Sequence, residues 1–252
     1  MRYLFDCWDE IGRRIRAAKD VRLYLDFDGT LVGYRPRPDQ VKLREKTRSA
    51  LRRLAEHRRV HVAIVSGRTR ADLAKLLRAP SVEFLGLYGW EDADKVSLSS
   101  RTRASLSEVR KLFAEIAKEM PGIFIEDKGI SVAVHFRGVS KSVERKAHER
   151  VRKIVRRYRA DLHVIGSRNV WDVVPKEVSG KGAAMRNVLK KLRKPFLAIY
   201  AGDDVTDEPA FQVVSKGISV LVGEPRKTHA RYGLRDPQEV YAFLRLLEAE
   251  LL

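Results

Sequence analysis

Asp26 and Asp28 stand two residues apart in the run VRLYLDFDGTL at 21–31. In extended backbone, residues two apart point the same way. Paired carboxylates repel each other and lose hydration. A divalent cation offsets both costs, and a purely structural role seldom requires them. The competing reading is a glycine-containing turn with solvated aspartates. A second acidic cluster, Gly202-Asp203-Asp204-Val205-Thr206-Asp207-Glu208, follows another apolar run. In a parallel sheet it can face the first pair. One or two of its carboxylates would then complete an oxygen-rich site for Mg²⁺, which takes few protein ligands and keeps several waters. Taken alone, the cluster reads equally well as helix capping by Asp203 or Asp207.

Both clusters need strand ends beneath them, and the pattern supplies these. Apolar strands are expected within the run at 21–31, where Val21, Leu23 and Leu25 alternate with Arg22, Tyr24 and Asp26 before a break at Gly29, and at Val60–Val65, Val82–Leu87, Pro195–Tyr200 and Ile218–Val222. Each runs into a polar or glycine-containing turn. Helices are expected at 44–58, 69–77, 181–192 and 237–251, with an amphipathic helix at 5–19. Pro36 and Pro38 make the stretch after the first acidic pair an irregular connection. Strands alternating with helices form a parallel α/β sheet of Rossmann-like type, whose ligands sit at the carboxyl ends of the strands.

The alternation changes near residue 100. A polar, serine-rich stretch, SLSSRTRASLSE, reads as a hinge and helix cap ahead of a helix to Glu119. A hairpin follows, with arms at Ile123–Glu126 and Ile130–Arg137. A basic helix at 140–159 then leads to a strand pair, Leu162–Ile165 and Val170–Val174, around Ser167-Arg168-Asn169. This αββαββ order marks a second α/β unit, 102–172, inserted into a core made of 1–101 and 173–252.

Composition narrows the function classes. A chain of 252 residues with 44% hydrophobic content is globular and has ample core. No apolar run is long enough to span a bilayer, and the amino-terminal stretch does not read as a secretory leader. Cys7 is the only cysteine, which excludes an intrachain disulfide and a multi-cysteine metal site, and fits a reducing cytoplasm. The net charge of +18 suits anionic partners. The 51 basic residues are nevertheless spread over several segments, without interleaved aromatic stacking platforms. Solvated helix faces account for them better than a nucleic-acid surface.

Four motifs in order resemble the haloacid-dehalogenase-like phosphatases: DFDGT at 26–30, Ser66 after a strand, Lys181 opening a helix, and GDDVTDE at 202–208. The resemblance implies that Asp26 attacks phosphorus to give an aspartyl-phosphate. Asp28 protonates the leaving oxygen and later activates water. Ser66 and Lys181 hold the phosphoryl oxygens. Mg²⁺ sits on Asp26, the Asp28 carbonyl and Asp203, while Asp207 orients a metal-bound water. The inserted unit is the family's substrate-selecting cap. Within the superfamily the chain is similar to the trehalose-6-phosphate phosphatases, through LDFDGTL, VSGR at 65–68, IEDKGISVAVHFR at 125–137, VWDVVPKEVSGKGAA at 170–184 and GDDVTDEPAF at 202–211. It implies a sugar-phosphate substrate contacted by Arg68, Glu91 and Lys128, with Glu126 behind them.

Three positions depart from the family pattern: Tyr88 where a histidine is usual, Gly180 for asparagine, and Asp172 for a longer glutamate. All three fall near the expected sugar pocket. A phosphatase of sucrose phosphate or a glycosyl-phosphoglycerate is therefore the nearest alternative. A non-catalytic binder of nucleic acid or sugar phosphate on the same scaffold is a more distant one. The expected protein is a cytoplasmic, Mg²⁺-dependent monomer with no membrane partner.

Overall fold

In the computed structural model, residues 1–35, 37–91, 98–167 and 169–252 are described. The chain divides into two compact units, one made of Met1–Ala93 with Gly180–Leu252, the other of Asp94–Ser179. The divisions fall at 93/94 and 179/180, where the sequence pattern suggested 101/102 and 172/173. A helix beginning at Ser100 and a strand reaching Pro175 run across the latter positions. Pro36 and Arg168, which figured in the expected connections, and Ser97, which opens the polar stretch before the cap helix, lie outside the described residues.

The first unit holds a seven-stranded parallel sheet. Its strands are β1 (Arg2–Tyr3), β2 (Val21–Leu25), β3 (Val60–Val65), β4 (Glu83–Leu85), β9 (Leu197–Gly202), β10 (Ile218–Val222) and β11 (Tyr232–Leu234). Their spatial order is β1-β11-β10-β9-β2-β3-β4. Five were expected. β1 and β11 are two and three residues long and exist by pairing with each other and with β10. From β2 the chain builds outward through β3 and β4, and from β9 it builds the other way through β10 and β11. β2 and β9 are therefore neighbours at the point where strand order reverses, with Leu25 in register with Ala201. In such sheets that crevice is where ligands bind.

Period-two burial sorts the side chains onto two faces. Val21, Leu23 and Leu25 of β2 join a core with helices α1 (Trp8–Ala17), α2 (Glu45–Glu56), α3 (Arg70–Leu77) and α8 (Pro237–Ala249). Tyr24 points to the other face, against α6 (Lys181–Lys190) and α7 (Glu208–Val213). The apolar rows inside these helices, such as Val240, Phe243, Leu244 and Leu247 of α8, recur at helical spacing and are buried. Burial on both faces is why the central strands read as nearly continuous apolar runs.

The second unit is a four-stranded antiparallel sheet, ordered β5 (Phe124–Asp127), β6 (Val132–His135), β8 (Val170–Pro175), β7 (Leu162–Gly166). Helices α4 (Ser100–Glu119) and α5 (Lys141–Arg157) complete it. Leu106, Val109, Phe113 and Ile116 of α4 and Val151 and Ile154 of α5 are buried with Val132, Val134 and Val173 of the sheet. Glu126, Ala133 and Asp172 stand in one register row across β5, β6 and β8. Among the described residues no helix is long and apolar enough to cross a membrane.

Candidate active site

Asp26 follows the last residue of β2, and Asp203 follows the last residue of β9. Adjacent parallel strands thus deliver both carboxylates to one mouth. Asp207 joins them from the short 3₁₀ turn Val205–Asp207 that leads into α7. Carboxylate oxygens of Asp26, Asp203 and Asp207 lie within 4.8 Å of one another. Lys181, the first residue of α6, reaches in from the second core face. Its Nζ donates to Asp26 Oδ1 at 2.6 Å and to Asp207 Oδ1 at 2.8 Å. Asp26, Lys181 and Asp207 are all at most 5% exposed.

Gly29 is what lets the first acidic loop close over the second. Its φ of +93° favours glycine, and a Cβ there would collide with the Asp203 carboxylate. The loop then donates two further groups. Thr30 Oγ1 bonds Asp26 Oδ2 at 3.3 Å, and Tyr34 Oη donates to Asp203 Oδ2 at 2.6 Å.

Helix capping and site building prove to be compatible. Asp204 caps the 3₁₀ turn, accepting from Val205 N at 2.6 Å. Asp207 Oδ2 accepts from the amides of Asp203 and Asp204 at 3.1 and 2.9 Å. Its Oδ1 takes Lys181 and the Tyr200 hydroxyl at 2.6 Å. With four donors, Asp207 is an orienting group for Lys181 and for the turn. Tyr34, Tyr200 and Thr30 were not picked out from the sequence. Tyr200 alternates within an apolar strand like a core residue, and Tyr34 lies in the irregular connection, so neither carries a signal.

The electrostatics are unbalanced. Three carboxylates face one ammonium, leaving two negative charges uncompensated. Burial pushes the Asp26 carboxyl up to about 7, the Asp207 and Asp28 charges add to the rise, and Lys181 opposes it. Burial likewise raises Asp203 well above the carboxylate range, with Asp26 and Asp207 adding to it. Burial alone would lower Lys181, but Asp207 and Asp26 outweigh it and hold the ammonium well above its ordinary value. Asp203 Oδ1 is buried and has no hydrogen-bond partner among the described residues. An orphaned carboxylate oxygen in a pocket short of two positive charges fits a hard divalent cation with oxygen ligands.

Asp28 is placed apart from this cluster. Arg68 grips it with a fork, Nε to Oδ2 at 2.6 Å and Nη2 to Oδ1 at 2.8 Å. The same guanidinium donates to the Pro38 carbonyl at 3.2 Å and lies against the Phe27 ring. Ser66, at the end of β3 beside β2, is 2% exposed, and its hydroxyl accepts from Arg68 N at 3.2 Å. Glu91 spends one oxygen on the amide of Arg70, the first residue of α3, at 2.6 Å. Tyr88, at the position where a histidine is usual, is buried with φ of +62°.

Within the second unit, Lys128 and Asp172 form a buried ion pair at 2.7 Å. Glu126 bonds His135 at 2.8 Å. The two residues expected to meet the sugar thus share one sheet face with Asp172, and each is engaged with a neighbour of opposite or polar character.

Comparison with known proteins agrees with this geometry. Residues 24–238 match the trehalose-phosphatase family model. Trehalose 6-phosphate phosphatase RA3 of Zea mays is 31% identical over 255 residues, covering 91% of this chain and 70% of that protein. Probable trehalose-phosphate phosphatase 4 of Oryza sativa subsp. japonica is 31% identical over 258 residues, covering 96% and 69%. The C-terminal domain of C. albicans trehalose-6-phosphate phosphatase superposes with a TM-score of 0.79 at 21% identity, covering 96% of each chain. A trehalose-6-phosphate phosphatase related protein gives 0.74 at 24% identity, covering 90% and 97%. At those identities the two structures speak for the fold. The sequence match over most of the chain goes further: the chain belongs to the trehalose-phosphatase family of haloacid-dehalogenase-like phosphatases.

Proposed function

We propose that the chain hydrolyses trehalose 6-phosphate to trehalose and phosphate, with Mg²⁺ as cofactor and the inserted unit as substrate-selecting cap. The carrying observation is Asp26, a buried carboxylate at the strand-order reversal, held by Lys181 and facing Asp203. Asp26, Asp203 and the Asp28 carbonyl would hold the ion, which when bound neutralises charge between the incoming phosphate and the attacking carboxylate.

The chain's own groups carry the remaining steps. An Asp26 oxygen forms the new P–O bond as the bond from phosphorus to the sugar oxygen breaks. Lys181 stays charged throughout and offers its proton donors to the equatorial phosphoryl oxygens, as does the Ser66 turn. Asp28 gives its proton to the departing sugar oxygen. It then takes one from the water that attacks the aspartyl-phosphate and releases phosphate. A protonated Asp28 cannot keep both Arg68 bonds, so Arg68 must loosen its grip when the acid is loaded. Arg68, Glu91, Lys128 and Glu126 remain the proposed sugar contacts, with Arg68 bearing on Asp28 as well. The protein would act as a monomer in a reducing, cytoplasmic setting, in line with its single cysteine.

The test is phosphate release from trehalose 6-phosphate, sucrose 6-phosphate, glucose 6-phosphate, glucosyl-3-phosphoglycerate and p-nitrophenyl phosphate. Each is run with Mg²⁺ and with EDTA, beside Asp26→Asn. Trehalose 6-phosphate is expected to lead, EDTA to abolish release, and Asp26→Asn to lose about 10³-fold or more with the fold intact. Preference for another sugar would overturn the substrate and point to Tyr88. Undiminished activity in Asp26→Asn would remove the nucleophile.

A further inference from the structure

Asp203 is fixed at its backbone by the groups around it. Its amide donates to Asp207 Oδ2 at 3.1 Å, and its carbonyl accepts from Arg226 Nη2 at 3.5 Å. Its side chain is held by less. Among the described residues, the Tyr34 hydroxyl is the one hydrogen-bond donor to that carboxylate, reaching Oδ2 at 2.6 Å, and the buried Oδ1 has no partner. Lys181 gives its bonds to Asp26 and Asp207 and none to Asp203. Gly29 lays its backbone against the same carboxylate, where a Cβ would meet both oxygens.

The phenol is not needed to hold its own loop. Val32 N donates to the Phe27 carbonyl at 3.2 Å, and the Val32 carbonyl accepts from Gly29 N at 2.8 Å. Arg68 anchors the far side of the connection at the Pro38 carbonyl. Nor is the ring a core residue, since Tyr34 is 40% exposed. What the bond does fix is the rotation of the Asp203 carboxylate about its side-chain torsions. That rotation matters in a pocket short of two positive charges. A carboxylate free to turn lowers its energy by moving toward the one ammonium there, Lys181. Turned that way, Asp203 would compete with Asp26 for Lys181 and spend the oxygen a cation needs. With Oδ2 bonded to Tyr34, Oδ1 is the oxygen left for the ion. A donor behind a metal-binding carboxylate sets its orientation, and losing one typically costs about 10–100-fold in metal affinity.

We propose that Tyr34 is a positioning residue for the cation site: its hydroxyl holds Asp203 in the orientation that binds the ion and so sets the ion's affinity. The inference rests on Mg²⁺ being the cofactor, as proposed above. The experiment is calorimetric titration of the full chain with Mg²⁺, without substrate, on wild type, Tyr34→Phe and Tyr241→Phe. The last removes a phenol from α8, outside the site. Expected are an Mg²⁺ Kd raised about tenfold or more in Tyr34→Phe and changed less than about twofold in Tyr241→Phe. The rise in thermal midpoint that subsaturating Mg²⁺ gives wild type should shrink in Tyr34→Phe. Turnover of trehalose 6-phosphate should need correspondingly more Mg²⁺ to reach half its maximum, with kcat at saturating Mg²⁺ within about threefold of wild type. An unchanged Mg²⁺ Kd in Tyr34→Phe would overturn the inference, even if the midpoint without metal fell, because the phenol would then only brace the loop. A kcat that saturating Mg²⁺ fails to restore would also overturn it, by placing the defect in the chemistry and not in ion binding. Wild type that takes up no Mg²⁺ at all would sink the cofactor reading, and this inference with it.

Discussion

Asp28 and Arg68 show what a sequence motif leaves unsaid. The DxD spacing makes both aspartates visible, but not that one is buried with a lysine and the other held by an arginine fork. That choice of partner depends on residues 40 and 155 positions apart meeting in space. It leads to a prediction. Arg68→Lys keeps the charge but cannot reproduce the fork. Turnover of trehalose 6-phosphate, whose leaving alkoxide needs an acid, should fall about 10²-fold, while p-nitrophenyl phosphate should lose well under tenfold. Steady-state kinetics on both substrates checks it, and equal losses would detach Arg68 from the acid's function. Lys128 and Asp172 teach the same lesson in the second unit. The Glu-Asp-Lys-Gly hairpin identifies Lys128, but not the carboxylate it neutralises. Lys128→Ala takes the ammonium away from the buried Asp172 carboxylate, so stability should fall, by up to about 3–5 kcal/mol in urea denaturation. The Lys128→Ala/Asp172→Asn double variant should recover a large part of that loss, and a double variant no better than the single would contradict the pairing.

At the scale of elements, the strands that carry chemistry were the legible ones. β2, β3 and β9 are long, apolar and followed by a break in pattern, because they are buried on both faces. β1, β11 and α7 were not visible. β11 is Tyr-Gly-Leu, and a central glycine reads as a turn until β10 and β1 flank it. α7 follows directly on a 3₁₀ turn, so the acidic cluster masks its start. The expected strand at 82–87 ends early at Leu85, since Leu87 and Tyr88 both adopt positive φ. Caps were partly legible, through the serine-rich stretch before α4. Ser99 accepts from Thr102 N at 3.0 Å and starts a twenty-residue helix. Ser99→Ala should cost about 1 kcal/mol, which for a chain of this size lowers the thermal midpoint by about 2–4 °C in scanning calorimetry. No shift would mean that the α4 start is held by packing alone.

The whole molecule carries +18 net charge, and its substrate class is anionic. Long-range attraction should speed encounter and fade as salt screens it over about 8 Å at physiological ionic strength. Raising NaCl from about 50 to 500 mM should lower kcat/KM for trehalose 6-phosphate several-fold, with a smaller effect on kcat. A salt-independent kcat/KM would leave the charge with no part in catalysis. Topology has a consequence of another kind, in the timing of synthesis. β1, at the start of the chain, hydrogen-bonds to β11, and β2 to β9. A ribosome releasing the chain in order delivers β1 and β2 long before either has its partner. The continuous stretch Asp94–Ser179 emerges complete and can fold at once. The older strands must wait: β2, paired to β3 on one side, keeps its β9 edge open until about twenty further residues have left the tunnel, and β1 lacks its partner until about fifty-five have. A slowed translation of 197–234 would prolong that exposure, making the interval before β9 emerges the period of greatest aggregation risk.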